Sequence, residues 1–171
     1  MGDKDIYQYH TSPLRRLENN HYALKNAYHR LEKAIDLNHD QEIYAATGEV
    51  LLWVMTTNEW HQKHNKGYKP RRNKHENGQI LSGLLHAYNS MKHNMDFIKI
   101  HKKEGGFSFP ISFPLEIPPL TVHWMKAGEI LEGKWPDQKK NYEKYIENKE
   151  IMGTFKLAID YLNDEYKYVS K

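Results

Sequence analysis

Residues 12–38 read SPLRRLENNHYALKNAYHRLEKAIDLN, and their periodicity decides the fold class. Leu14, Leu17, His21, Leu24, Tyr28, Leu31 and Ile35 recur at alternating spacings of three and four. That spacing lines one face of an α-helix, so the segment predicts an amphipathic helix. Ser12 can accept a hydrogen bond from an orphan backbone N–H, and Pro13 suits the first helical position. The helix is expected to end near Leu37-Asn38. Its heptad-like stripe is too short for a free coiled coil and calls for a partner helix, in the same chain or in a second subunit.

Outward from this helix, the chain repeats the pattern. A second helix is predicted from Asp40 to about His64, with Ile43, Thr47, Val50, Leu51, Val54, Asn58 and His61 along its inner side and Trp53 and Trp60 widening the apolar face. Residues 67–77 hold Gly, Pro, Asn and a block of charge, the composition of a loop. A third helix is expected from Asn77-Gly78 to about His101, carrying Ile80, Leu84, Leu85, Tyr88, Met91, Met95 and Ile98, with Gly105-Gly106 as its stop. Residues 107–119 alternate apolar residues with prolines, which remove ladder donors; an extended arm or small edge hairpin fits better than a central strand. Trp135-Pro136-Asp137 opens a last helix to about Tyr168, buried through Tyr142, Tyr145, Ile146, Met152, Phe155, Ile159, Leu162 and Tyr166. Within it Gly153 marks close packing or merely weakens the helix. The expected architecture is an all-α single domain over 1–171. It is a bundle of about four main helices, with a proline-rich arm or small hairpin between the third and the last and a short disordered N-terminus of about 1–11.

The bulk numbers agree with that class. A chain of 171 residues fits one domain with a core of its own. Cysteine is absent, which excludes disulfides and thiolate zinc sites and suits a reducing compartment. The first residues are polar and no secretory signal is visible. Val50–Met55 is far shorter than the ~20 residues that cross a bilayer. A cytoplasmic protein without a membrane partner is expected. The formal charge of +3 comes from 25 basic and 22 acidic residues, so local concentration matters more than the total.

That concentration is at His61–His75, which holds six Lys or Arg, three His and no acid, among them Lys69, Arg71 and Arg72. It reads either as a solvated basic loop or as a phosphate contact, with Trp60 and Tyr68 as stacking partners for bases. A second cluster, His86, Asn89 and His93, projects from one face of the third helix, flanked by Lys92. It is either a structural polar seam or an acid/base pair near neutral pH. His61 and His64, with Glu59 nearby, lack a His-Glu-x-x-His or Glu-x-x-His pattern and lie among lysines, so neither a metal nor another cofactor is expected. Phosphate-binding, dinucleotide-binding and nucleophile-elbow glycine motifs are absent. Phe107, Phe109, Phe113 and Trp124 are expected to cover a hydrophobic patch.

Asn89-Ser90-Met91-Lys92-His93 resembles the signature helix of HEPN-domain proteins, small helical bundles in which Arg, often followed by Asn, precedes a His by four to six residues. Leu51-Leu52-Trp53 through Glu59-Trp60-His61, then Gly78 and Gly83-Leu84, is similar to the preceding helix of certain bacterial HEPN-like proteins. The resemblance covers about Gly48 to Phe97. In this chain Tyr88 occupies the Arg slot and brings no positive charge at neutral pH. The resemblance implies a homodimer that engages RNA or another phosphate-rich partner. If the chain is a metal-independent endoribonuclease, His93 would be acid/base, Asn89 its orienting neighbour with His86 on the same face, and Lys92, Lys69, Arg71 and Arg72 phosphate contacts. The rival expectation is a non-enzymatic dimeric interaction module with a protein partner, of the kind found in defence or toxin–antitoxin systems.

Overall fold

The computed structural model describes residues 12–101, 120–130 and 134–171. The expected disordered start, the Gly105-Gly106 stop and the proline-rich arm with Phe107, Phe109 and Phe113 lie outside the described residues. The chain order is α1 (Pro13–Asp36), α2 (Asp40–His64), α3 (Tyr68–Lys74), α4 (Glu76–Lys92), β1 (Ile98–His101), β2 (Thr121–Trp124), a 3-10 turn (Ala127–Glu129), α5 (Pro136–Tyr145) and α6 (Ile151–Tyr166). No helix among the described residues is long and apolar enough to cross a membrane.

The first two helices begin and end where expected. They pack against each other as an antiparallel hairpin, so the α1 stripe finds its partner inside the chain. The closest seam is one position round from the expected stripe. Leu17, Asn20, Leu24, Ala27, Leu31 and Ala34 are buried, whereas His21, Tyr28 and Ile35 are half-buried on the flank. Small alanines let α2 approach. The larger flanking rings turn towards α6, where the Tyr28 hydroxyl reaches the Met152 carbonyl at 3.5 Å and the His21 ring meets that of Tyr166 at 5.3 Å. All seven residues expected on the inner side of α2 are buried.

The structure departs from the sequence expectation in three places. Residues 67–77 contain a two-turn helix, α3, rather than a loop. The third main helix stops at Lys92 instead of about His101, and Ile98–His101 pairs antiparallel with Thr121–Trp124. The last helix is broken into α5 and α6. Asparagine stands at the left-handed position in each reversal: Asn38, Asn94 and Asn148 have φ of 53°, 56° and 60°. Asn is one of the few residues to adopt that conformation readily. At the end of α4, Met95 N–H donates to the Ser90 carbonyl at 2.9 Å and Asn94 N–H to Met91 at 3.0 Å, the paired bonds that close a helix C-terminus. At the α5–α6 break, Asn148 N–H donates to the Trp124 carbonyl and Trp124 N–H to Lys149, both at 3.0 Å, so β2 holds the break open. Glu150 then caps α6 by accepting from the N–H groups of Met152 and Gly153.

The hairpin covers one side of the helices. Val122 and Trp124 point inward, and the Trp124 ring lies 5.2 Å from Phe155 and 6.4 Å from Phe97. Trp124 is therefore core. Close helix packing falls at Gly83 rather than at exposed Gly153: a Cβ on Gly83 would lie 2.7 Å from Ile146 Cδ1 and 2.9 Å from the Tyr142 backbone nitrogen. α5 is thereby laid flat on α4.

Candidate nucleic-acid interface

The basic segment is helical because it is anchored from below. Gly67, at φ 76°, turns the chain into α3, and Pro70 falls in its first turn, where no N–H is missed. Tyr68 is buried. Its hydroxyl donates to Asn58 Oδ1 at 2.8 Å, and its ring stacks on His61 at 5.1 Å and 24°. Burial raises the Tyr68 hydroxyl far above its ordinary pKa, so it stays a neutral donor. The expected stacking residues Trp60 and Tyr68 are thus structural; the Trp60 indole N–H donates to the Pro13 carbonyl at 2.9 Å.

Arg71 turns back into the bundle. Its Nη2 donates to Glu165 Oε2 at 2.6 Å and its Nε to Oε1 at 2.9 Å, a two-pronged pair joining α3 to α6. Glu165 is 3% exposed and also accepts from the Tyr161 hydroxyl at 3.1 Å and Asn65 Nδ2 at 3.0 Å. Burial by itself would raise the pKa of this carboxyl; hydrogen bonds and charge from Arg71, helped by Tyr161 and Asn65, hold it below its usual value. The same Asn65 amide nitrogen lies 3.1 Å from His61 Nδ1. Burial, with His21 and Arg71 nearby, depresses the His61 pKa to about 4, so this ring is neutral at physiological pH.

Clefts open on both sides of α3. One, of about 670 Å³, is lined by Arg71, Lys74, Tyr161, Glu165, Tyr168 and Lys171, with His75, Asp164 and Lys167 completing it. The other, of about 510 Å³, includes Arg72, Trp135, Asp137, Gln138, Lys140 and Lys144. Together they hold seven Lys or Arg against three carboxylates. Two of those carboxylates are already paired, Glu165 with Arg71 and Asp164 with Lys167. Among the described residues, no carboxylate lies within ion-pair distance of Lys74, Lys171, Arg72, Lys140 or Lys144. Arg72 instead reaches Asn58 and Asn73, and Lys69 is exposed on the ridge itself.

The residues expected to carry catalysis do not converge within the chain. His86 is 1% exposed, its ring 5.2 Å from that of Tyr142. Asn89 donates to Gln138 Oε1 on α5 at 3.4 Å. His93 is exposed at the C-cap of α4, and the Lys92 ammonium sits 5.4 Å from the centre of the Tyr88 ring. Three-and-four spacing does put the three residues along one face; α5 covers the first part of that face and leaves the end in water. Arg71 and Arg72 lie by the start of α4 and His93 at its end, about 25 Å along the axis of this 17-residue helix. Among the described residues no group of three or more potential ligands could hold a metal ion.

Sequence reasoning missed Trp135, Tyr168, Lys140, Lys144, Lys171 and Glu165. They join α3 only through tertiary packing, from 60 to 100 residues away. The one local signal was Trp135 followed by a lysine-rich turn, read only as a helix start. Comparisons with protein-family models, with curated proteins and with solved structures find no match. The likeness to HEPN domains therefore rests on the residues quoted for it.

Proposed function

We propose that this protein binds a polynucleotide, RNA by preference, on the surface formed by α3 and its two flanking clefts, without cleaving it there. The observation that carries the reading is the run of cations without carboxylate partners among the described residues, Lys74, Lys171, Arg72, Lys140 and Lys144, on both sides of a helix that adds Lys69. Such a surface attracts a chain of phosphates and releases its counterions. The RNA preference draws on the HEPN resemblance. Arg71 is spent on Glu165, so its part is to hold α3 in place, and Arg72 is the arginine open to phosphate.

Fluorescence anisotropy of a labelled oligoribonucleotide, with chelator present and salt varied, tests the reading. Affinity should fall steeply with salt, and Lys74→Ala combined with Lys140→Ala and Lys144→Ala should weaken binding and flatten the salt dependence by up to about three phosphate contacts. No binding at low salt would remove the proposal.

A second reading, cleavage of RNA at the far end of α4, is favoured by one observation: His93 and Lys92 are both exposed there. A dimer would have to bring a phosphate-binding cation to them. Metal-independent cleavage lost in His93→Ala would support it; RNA left intact by the wild-type protein would count against it.

A further inference from the structure

Each cleft beside α3 carries one large aromatic side chain left in water. Tyr168 is 61% exposed, and the Arg71 guanidinium lies 4.3 Å from the centre of its ring. That contact fixes the ring's orientation at the mouth of the Arg71 cleft. Trp135 is 63% exposed at the N-cap of α5, in the cleft that holds Arg72, Lys140 and Lys144. An exposed indole or phenol ring on a cationic groove offers a π-face to a base while the cations track the backbone, whatever the base.

Resting on the polynucleotide reading above, we infer that the ligand is single-stranded: one base stacks on Tyr168, another on Trp135, and the backbone between them crosses the α3 ridge over its cations. A duplex keeps its base faces inside the stack and could offer this surface only phosphates. An unpaired strand can turn bases outward to both sides. The ridge to be crossed is one helix, about 10 Å wide with its side chains, which a few nucleotides span. The aromatic pair therefore supplies what the lysines cannot, discrimination between an open strand and a paired one.

The full chain should bind a labelled oligouridylate of about 12 nucleotides, long enough to fill a typical single-strand site, more tightly than the duplex it forms with oligoadenylate. Trp135→Ala and Tyr168→Ala should each weaken single-strand binding about tenfold and leave duplex binding and the salt dependence unchanged. Trp135→Phe and Tyr168→Phe, which keep a ring, should retain most of the affinity, which separates stacking from a loss of fold. Trp60 and Trp124 are buried and Trp53 is half-buried, so quenching of intrinsic fluorescence by unlabelled oligouridylate reports mainly on Trp135 and should disappear in Trp135→Phe. Alanine variants that bind like wild type, or a duplex bound as tightly as the single strand, would overturn the inference while leaving the polynucleotide reading intact. If the wild-type protein shows no salt-dependent binding to either probe, both fall.

Discussion

At the Glu76 end of α4, polar side chains from α2 and its C-cap, α3 and α6 meet: Asn65, Arg71, Tyr161 and Glu165 bond to one another, and His61, stacked on Tyr68, is tied to them through Asn65. At the Lys92 end, His86, Asn89 and His93 come from a single helix and part ways, one to the core, one to α5 and one to solvent. Polar residues at helical spacing share a direction but need a second element to give them a common target. Where three elements contribute, the groups bond to one another and shift each other's pKa values, although the buried Nε2 of His61 is left without a hydrogen-bond partner. Where one contributes, each residue takes whatever neighbour it meets.

The sharpest way to break this contrast is Arg71→Ala. It leaves the Glu165 carboxylate buried without its cation and should cost about 3–4 kcal/mol in urea unfolding. A loss below about 1 kcal/mol would make the cluster no more than a surface pair. Next in size is acid. The folded pKa of His61 is about 4 against an ordinary 6.5, so the folded protein binds fewer protons than the unfolded chain between those values. Stability is complete above about pH 6.5 and falls as the pH drops towards 4, by on the order of 2–3 kcal/mol. Melting temperatures between pH 7 and 5 should show that slope in the wild type and a flatter one in His61→Leu.

Gly78→Ala addresses how α3 is seated. Its Cβ would lie 2.3 Å from the Arg72 carbonyl oxygen, a backbone atom, so α3 must move; about 2 kcal/mol is expected, with weaker polynucleotide binding alongside. At the opposite end, Asn94→Ala places a Cβ residue without a polar tip at a positive φ and should cost about 1 kcal/mol, while Asn94→Gly should be neutral. The smallest effect belongs to His93→Ala, within about 0.5 kcal/mol of wild type, as for an exposed side chain outside any network. A large loss there would erase the distinction between the two ends.

How far the sequence carried is visible element by element. The start and length of α1 and the inner face of α2 follow from spacing and from Pro13 at the first helical position, which are local physics, although the Ser12 side chain makes no capping hydrogen bond. The α3 helix did not follow, because its composition is that of a loop and its stability comes from Tyr68 reaching Asn58 and His61 on another element. Ile98 fitted the stripe of the third helix, yet it opens a strand; Asn94, not the later glycines, ended the helix. The α5–α6 break depends likewise on Asn148 and on β2, whose pairing is invisible to any short window. For the candidate interface, the basic segment was legible as charge. Which arginine faces inward was not, because Arg71 and Arg72 differ only in what lies across from them: Glu165, nearly a hundred residues later.

The Arg71–Glu165 pair also fixes how α6 lies along the bundle. An apolar helix face can slide by one turn, about 5.4 Å, and still bury similar surface. On α6 such a slip would bring Tyr161 opposite the guanidinium and part the Glu165 carboxylate from its cation. The ion pair thus selects one longitudinal setting of the last helix, and with it the position of Tyr168 at the mouth of its cleft.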